Sequence, residues 1–221
     1  MEVAGNLFSD VAHWWLAGLY SLLLLLAVRL GNWRRLLDSE QLNVFLGSCV
    51  ALILLWQVRA QIDPAWAFHL LGVTTLTLMF GWSLAVAGAS IVLLAVTING
   101  SQDWGGFFLN ALTLAVLPAT LTQFSLVLAR SYLPKNFFVY VLVNAFLTAG
   151  FVGLVSGYLT SWLLVLSGRF TLLELEQNFI PFFPLMFLPE AILNGWIMTI
   201  LVLYRPRWVG SFSDVQYING K

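Results

Sequence analysis

Long apolar stretches alternate with short polar stretches along the whole chain. A membrane-crossing helix needs about 20 mostly apolar residues. We predict seven such helices, at about residues 11–30, 42–58, 66–80, 83–98, 107–129, 137–166 and 181–204. The pattern therefore predicts an all-α polytopic membrane helix bundle, with residues 1–208 as a single transmembrane domain and residues 209–221 as a short polar tail.

The third and fourth segments are shorter than the others. Each is near 16 residues long, and only Gly81 and Trp82 separate them. Because this length is below the roughly 20 residues that cross a bilayer straight, either the two segments form a tight helical hairpin or one of them is partly re-entrant. Small residues predict close helix packing in another part of the bundle, where Gly150, Gly153 and Gly157 follow one another at helical spacing.

The composition agrees with a protein that lies within a membrane. Of the 221 residues, 60% are hydrophobic and 9% are charged, whereas soluble domains carry about 25% charged residues. The formal net charge is zero, so we expect no surface for nucleic acid. Cys49 is the one cysteine, which excludes a disulfide framework within the chain, and we expect it to be a small core residue.

The distribution of basic residues predicts the orientation. With seven crossings and the N-terminus outside, eight Lys and Arg residues fall on the cytoplasmic side: Arg29, Arg34, Arg35, Arg130, Lys135, Arg205, Arg207 and Lys221. Only Arg59 and Arg169 then fall outside. Because cytoplasmic loops carry the excess of basic residues, this bias predicts a cytoplasmic C-terminus and places the 99–106 loop on the outer side with the N-terminus.

His69 and Asn110 are polar side chains within apolar segments. Such residues are costly in a membrane and usually face the interior of a bundle, so each is a candidate for function. His69 opens the third segment and could bind a transition metal, or it could form a hydrogen bond at a helix end. Asn110 could orient His69 or bind a substrate, or it could form an interhelical hydrogen bond.

Glu190 is the only acid well inside an apolar run. At 1.5 Å per residue it lies about 22 Å from the cytoplasmic end of its helix, which places it at the level of His69. A gating or structural hydrogen bond and a substrate-binding role are both open for it. His13 follows Asp10 by three residues, so the two share a helix face, either at the interface with water or as a further substrate-binding group.

The sequence contains no signature of a catalytic site. It has no HExxH, no GxSxG and no P-loop, so we expect no enzyme, and any ATP hydrolysis must come from another chain. An intramembrane enzyme that uses Glu190 and His69 is a remote alternative, since no nucleophile motif accompanies them.

The stretch from His69 to Asn110 resembles a known family. It has a His at the start of a helix, then a Gly, a tight hairpin, the Gly105-Gly106 loop and an Asn in the next helix. Together with Pro189-Glu190 and Asn194-Gly195 before Arg205-Pro206, this pattern resembles the membrane capture component of cobalt and nickel transporters of the energy-coupling-factor ABC type, the CbiM/NikM family.

This resemblance implies a transported ligand, partners and a metal site. The ligand would be Ni²⁺ or Co²⁺, and the partners would be an energy-coupling transmembrane subunit and ATPase subunits in a bacterial plasma membrane. In the family, an N-terminal Met-His segment joins the His that matches His69 around the ion. Here Met1 is followed by Glu2, so the implied metal ligands are His69, Met1 and Glu2. Because carboxylate oxygen is a harder donor than imidazole, we expect a weaker and harder site.

The change at Glu2 keeps a second interpretation open. The chain could be a non-transporting accessory or assembly subunit of a membrane complex that retains the fold. Metal binding to the purified protein separates the two interpretations.

Overall fold

The computed structural model describes residues 2–3, 10–63, 66–168 and 170–217, and most of this chain is helical. Its helices are α1 (Asp10–Leu30), α2 (Ser39–Gln57), α3 (Val73–Phe80), α4 (Trp82–Ile98), α5 (Trp104–Tyr132), α6 (Phe137–Leu166), α7 (Leu172–Asn178), α8 (Pro184–Tyr204) and α9 (Asp214–Tyr217). Three short strands, β1 (Glu2–Val3), β2 (Arg59–Asp63) and β3 (Trp66–His69), form a small sheet.

Five helical stretches within the described residues are long and apolar enough to cross a membrane, namely Ala12–Leu30, Ser39–Gln57, Trp104–Tyr132, Phe137–Leu166 and Leu172–Tyr204. Helix α4 is apolar but shorter, with 17 residues. These helices confirm the predicted all-α multi-pass membrane bundle. Cys49 is buried in the core, as expected for a small apolar residue.

Helix α3 lies at the centre of the bundle. All eight of its residues are buried, and it packs against α4, α5, α6 and α8. Because its residues are buried on every face, protein rather than lipid surrounds the helix. At 1.5 Å per residue α3 is about 12 Å long, so its two ends lie inside the protein and need hydrogen-bond partners from other elements.

The prediction of a helix that begins at Trp66 is wrong. Residues Trp66–His69 are strand β3, and the helix begins only at Val73. Strand β3 lies between β1 and β2 and pairs with both in the antiparallel direction, with Glu2 opposite Ala67 and Arg59 opposite His69. An apolar run without alternation does not distinguish strand from helix, and the pairing strands come from distant parts of the chain.

Hydrogen bonds bring the sheet, the loop at 99–106 and the start of α1 to one end of the molecule. Arg59 donates to the Ser101 carbonyl, and the Ser101 hydroxyl donates to Gln57 Oε1 at 2.9 Å. A ring nitrogen of His13 lies 2.7 Å from the Gly105 carbonyl oxygen. We call this region the sheet end.

The opposite end of α3 is enclosed by residues around Arg35. Arg35 donates to the Met79 carbonyl at 2.7 Å and to the Trp208 carbonyl at 3.0 Å. The backbone N–H groups of Gly210 and Ser211 donate to the Met79 and Leu78 carbonyls, which are the last carbonyls of α3. We call this region the clamp end.

Small residues bring α6 and α8 together, as their spacing predicts. A Cβ atom added at Gly150 would lie 3.3 Å from the Ala191 Cβ atom, and one added at Gly153 would lie 3.4 Å from the Phe187 Cα atom. The two helices therefore pack with their backbones close to each other.

Candidate functional site

His69 ends strand β3 with its ring buried and one nitrogen without a partner among the described residues. Only 4% of the residue is exposed. Its Nδ1 atom lies 3.1 Å from the Leu70 carbonyl oxygen, and since a carbonyl can only accept, Nδ1 carries the proton. The Nε2 atom is therefore the acceptor of the neutral ring, and it has no hydrogen-bond partner among the residues that the structure describes. A buried lone pair without a partner is costly, so it marks a place where a ligand would be stabilising.

Trp56 holds the surroundings of His69 in place. The two ring centroids are 5.2 Å apart, and the indole N–H of Trp56 donates to the Leu71 carbonyl at 2.9 Å. Burial lowers the pKa of His69 well below its ordinary value of 6.5. The ring is therefore neutral at pH 7, and neutral imidazole is the form that binds a metal ion.

His69 borders a small cavity. This cavity of about 10 Å³ is lined by His69, Leu71, Gly153, Ser156, Met186 and Glu190. Such a volume holds about one water molecule or one ion. The Ser156 hydroxyl, like His69 Nε2, is buried without a hydrogen-bond partner in the described part of the chain. Two of the four buried side-chain atoms that lack a partner in the described chain therefore belong to residues of this cavity.

The carboxylate of Glu190 lies beside the cavity and binds the start of α3. Its Oε2 accepts from the Leu71 N–H at 2.7 Å, and its Oε1 accepts from the Gly72 N–H at 2.8 Å. Asn194, one turn further along α8, donates to Glu190 Oε1 at 2.8 Å. The sequence correctly placed Glu190 at the level of His69, and both oxygens of this carboxylate already accept hydrogen bonds.

Gly153 makes this approach of α8 possible. A Cβ atom at Gly153 would lie 3.9 Å from the Glu190 Cγ atom and 3.4 Å from the Phe187 Cβ atom. Since α6 has no side chain at this position, α8 packs close enough for Glu190 to reach across to the N-terminus of α3.

Asn110 and His13 lie near the sheet end but do not line the cavity. Asn110 is buried in α5, and the first α-helical turn of α5 packs against β1. The neighbouring Leu109 packs in one apolar cluster with Phe68 of β3. His13 lies against the carbonyl of Gly105 in the loop that precedes α5.

Of the other two implied ligands, Met1 and Glu2, only the backbone of Glu2 belongs to the described residues. Met1 lies outside the described residues. Glu2 is described only as backbone, where it pairs with Ala67, two residues before His69 in β3. Among the described residues no group of three or more His, Cys, Asp or Glu side chains could hold a metal ion. An ion at His69 therefore needs donors of other kinds, or donors outside the described residues.

Sequence reasoning assigned no role in the site to Asn194, Thr75 or Ser156. Asn194 had a usable signal, because it follows Glu190 by four residues and so lies on the same face of an apolar helix. Thr75 donates to Asn194 Oδ1 through both its N–H, at 2.9 Å, and its hydroxyl, at 2.7 Å. Hydroxyl residues in apolar helices usually bond to their own backbone, so Thr75 and Ser156 carried no distinguishing pattern.

A buried histidine beside a small cavity in a multi-pass membrane bundle can be compared with known protein families. The family model described as "Cobalt uptake substrate-specific transmembrane region", CbiM, matches residues 8–208. The chain belongs to the CbiM family. A comparison with curated proteins finds no match.

Membership in the CbiM family confirms the resemblance that the His69–Asn110 stretch suggested. It makes the chain the substrate-specific membrane component of a cobalt uptake system. The CbiM family is a family of transporter components and not a family of enzymes. The long apolar helices agree with a multi-pass protein that works within a bilayer.

Proposed function

We propose that this CbiM protein captures Co²⁺ or Ni²⁺ at the sheet end and releases the ion inward when partner subunits hydrolyse ATP. The partners are an energy-coupling transmembrane subunit and ATPase subunits of an energy-coupling-factor transporter in a bacterial plasma membrane. The observation that carries the proposal is the Nε2 atom of His69. It is a buried, neutral metal-binding group that has no partner among the described residues and belongs to a residue lining a cavity for one ion.

The proposed ligands are His69, the amine of Met1 and the carboxylate of Glu2. The antiparallel register supports this set, because β1 runs from Val3 opposite Trp66 to Glu2 opposite Ala67, toward His69. A carboxylate in place of a second imidazole makes the site harder, which favours Co²⁺ relative to Ni²⁺.

Asn110 and Glu190 support the site, and His13 belongs to its border. Asn110 is proposed to bind the ligand from α5, the helix that packs against β1. Both oxygens of Glu190 accept hydrogen bonds from the backbone of Leu71 and Gly72. Glu190 is therefore proposed to affect substrate binding through this backbone and not by direct contact. His13, at the Gly105 carbonyl, is proposed as an outer substrate contact.

The orientation follows from the basic residues. Arg35, Arg130, Arg205 and Arg207 lie at or beside the clamp end, where Arg130 donates to the Ser211 carbonyl. Because basic residues concentrate on the cytoplasmic side, we assign the clamp end to the cytoplasm and the sheet end to the outside. The energy-coupling subunit would then dock at the clamp end, and capture would occur at the opposite end.

Titration of the purified protein tests the proposal. Isothermal calorimetry with Co²⁺ and Ni²⁺ is expected to show one site that His69→Ala weakens by about 100-fold or more, because one metal–imidazole bond is lost. His13→Ala removes the other histidine of the chain. Because His13 is proposed as an outer contact and not as a ligand of the ion, this variant is expected to change the affinity by less than about threefold.

One observation favours a second function. Glu2 stands where the family pattern has a histidine, so the site could have lost its affinity while the fold was kept. The chain would then be an accessory or assembly subunit of a membrane complex. Absence of any Co²⁺ or Ni²⁺ binding that His69→Ala changes would favour this function over capture.

A further inference from the structure

Helix α3 has no N-terminal cap of its own. Its N-cap residue is Gly72, which has a left-handed backbone (φ +65°) and no side chain to accept from the first N–H groups. The first N–H groups of any helix lack partners within the helix. In this buried position water cannot serve them, so another element must accept their hydrogen bonds.

Two side chains of α8 bind the turn before α3 and the first turn of the helix. Glu190 accepts from the N–H groups of Leu71 and Gly72, at 2.7 and 2.8 Å. Asn194 Oδ1 accepts from the Thr75 N–H at 2.9 Å and from the Thr75 hydroxyl at 2.7 Å. The amide of Asn194 in turn donates to Glu190 Oε1 at 2.8 Å, so the two side chains act as one unit.

The turn that Glu190 binds follows His69, the proposed metal ligand, closely in the chain. Only Leu70 separates His69 from Leu71, whose N–H is bound by Glu190 and whose carbonyl is bound by the Trp56 indole at 2.9 Å. Leu70 is itself engaged, because its carbonyl accepts from His69 Nδ1. The direction of the His69 ring therefore depends on a turn that Glu190 fixes from the other side of the bundle.

We propose that Glu190 and Asn194 are positioning residues, which fix the turn after His69 so that its Nε2 atom is aimed into the cavity. This inference rests on the proposed function, because it assigns the pair to the same metal site. Neither residue is proposed to bind the ion. Both oxygens of Glu190 are occupied by backbone and amide donors, and Asn194 Oδ1 is occupied by Thr75.

The backbone leaves little alternative to this arrangement. A side chain at Gly72 would meet the Leu52 and Leu55 side chains at 2.8 and 3.0 Å, so the turn cannot be capped by a residue of its own at that position. Fixing a metal ligand through groups that do not touch the metal is a general property of such sites, and loss of those groups typically lowers the affinity by 10- to 100-fold.

Co²⁺ binding to Glu190→Gln and Asn194→Ala tests the proposal. The glutamine has one acceptor oxygen in place of two, so one N–H of Leu71 or Gly72 loses its partner. We expect Co²⁺ affinity to fall by about tenfold or more in Glu190→Gln and by less in Asn194→Ala, which keeps the Glu190 bonds. The Co²⁺ absorption spectrum is expected to change in both variants, because the imidazole is no longer held in one direction.

Glu174→Gln is the matched control. Glu174 also accepts from a helix N-terminus, in the capping box that it forms with Thr171 at the start of α7, but it is exposed and not part of the cavity. This variant loses a comparable cap and is expected to keep the wild-type Co²⁺ affinity and spectrum. A purely structural role of Glu190 would change the melting temperature and leave the affinity and the spectrum of the folded protein unchanged.

A double-mutant cycle with His69→Ala separates the possible failures. If Glu190 acts through His69, adding Glu190→Gln to His69→Ala lowers the Co²⁺ affinity no further. If His69→Ala itself leaves binding unchanged, the proposed capture function is wrong. If His69→Ala removes binding while Glu190→Gln and Asn194→Ala keep it, only the positioning role is wrong.

Hydrogen exchange on the wild-type protein covers the case in which the variants do not fold. The amides of Leu71, Gly72 and Thr75 are expected to exchange slowly without Co²⁺, because Glu190 and Asn194 already bind them. Fast exchange of these three amides in the folded, metal-free protein would overturn the proposal.

Discussion

The two ends of helix α3 differ in whether the buried polar groups around them have hydrogen-bond partners. At the clamp end, Arg35 and the N–H groups of Gly210 and Ser211 bind the last carbonyls of the helix. At the sheet end, Glu190 binds the N–H groups of the turn before the helix and Asn194 binds the Thr75 N–H in its first turn. His69 Nε2 and the Ser156 hydroxyl nearby have no partner among the described residues. None of the described buried side-chain atoms without a partner belongs to the clamp residues.

This difference indicates different tasks for the two ends. A buried polar group that has found its partner stabilises the fold, whereas one without a partner costs stability unless a ligand completes it. By this reasoning the described clamp residues are satisfied within the protein alone, whereas the proposed ion would complete the sheet end. The following predictions test this contrast in order of decreasing effect.

The largest effect is expected from the clamp. Arg35→Met removes hydrogen bonds to Met79 and Trp208 and a cation–π contact with the Phe80 ring, whose centroid is 5.2 Å away. We expect the free energy of unfolding in detergent to fall by about 3 kcal/mol, since buried carbonyls lose a charged donor. Arg34→Met, at the exposed neighbouring position, is expected to cost less than about 0.5 kcal/mol. Equal losses in the two variants would contradict the account.

The sheet end is expected to bind Ni²⁺ more tightly when the carboxylate at position 2 is replaced by an imidazole. Glu2→His restores the residue that the family pattern carries, and a second imidazole should bind Ni²⁺ about tenfold more tightly, or about 1.4 kcal/mol. Calorimetric titration with Ni²⁺ measures this gain. Glu176→His adds an exposed histidine on α7 and controls for binding to any new surface imidazole. No gain in Glu2→His would show that position 2 is not at the ion.

The buried imidazole is expected to make stability depend on pH. The pKa of His69 is well below its unfolded value of about 6.5, so the unfolded chain takes up a proton that the folded, metal-free protein does not. The free energy of unfolding of the metal-free protein is highest above pH 6.5. It decreases as the pH falls toward the lowered pKa of His69, by about 1 kcal/mol between pH 6.5 and 5.5. Unfolding curves of His69→Gln should lack this component; an unchanged pH dependence in that variant would refute it.

The smallest effect compares two buried serines. The hydroxyl of Ser211 is 2.5 Å from the Tyr140 hydroxyl, whereas the hydroxyl of Ser156 has no partner within the described ranges. Ser211→Ala should lower the free energy of unfolding by about 1 kcal/mol and Ser156→Ala by about 0.3 kcal/mol. Chemical unfolding of the metal-free protein measures both, and the reverse order would break the contrast between the two ends.

The sequence predicted the helical spans well because their apolar length is a strong signal. It failed at Trp66–His69, where the strand depends on pairing with residues 2–3 and 59–63, which no local pattern shows. It selected His69 and Glu190 correctly as polar residues at one level, and structure adds that Glu190 binds the turn that follows His69. Arg35 was assigned only a topological role, because its carbonyl partners lie more than 40 residues away.

X-ray absorption at the cobalt edge tests the central claim most directly, because it detects the atoms bound to the ion. Wild-type protein loaded with one equivalent of Co²⁺ is expected to show the multiple scattering of a coordinated imidazole. The same signal should be absent in His69→Ala and present in His13→Ala. An imidazole signal that persists in His69→Ala, or that is missing from the wild-type spectrum, would contradict capture of the ion at the sheet end.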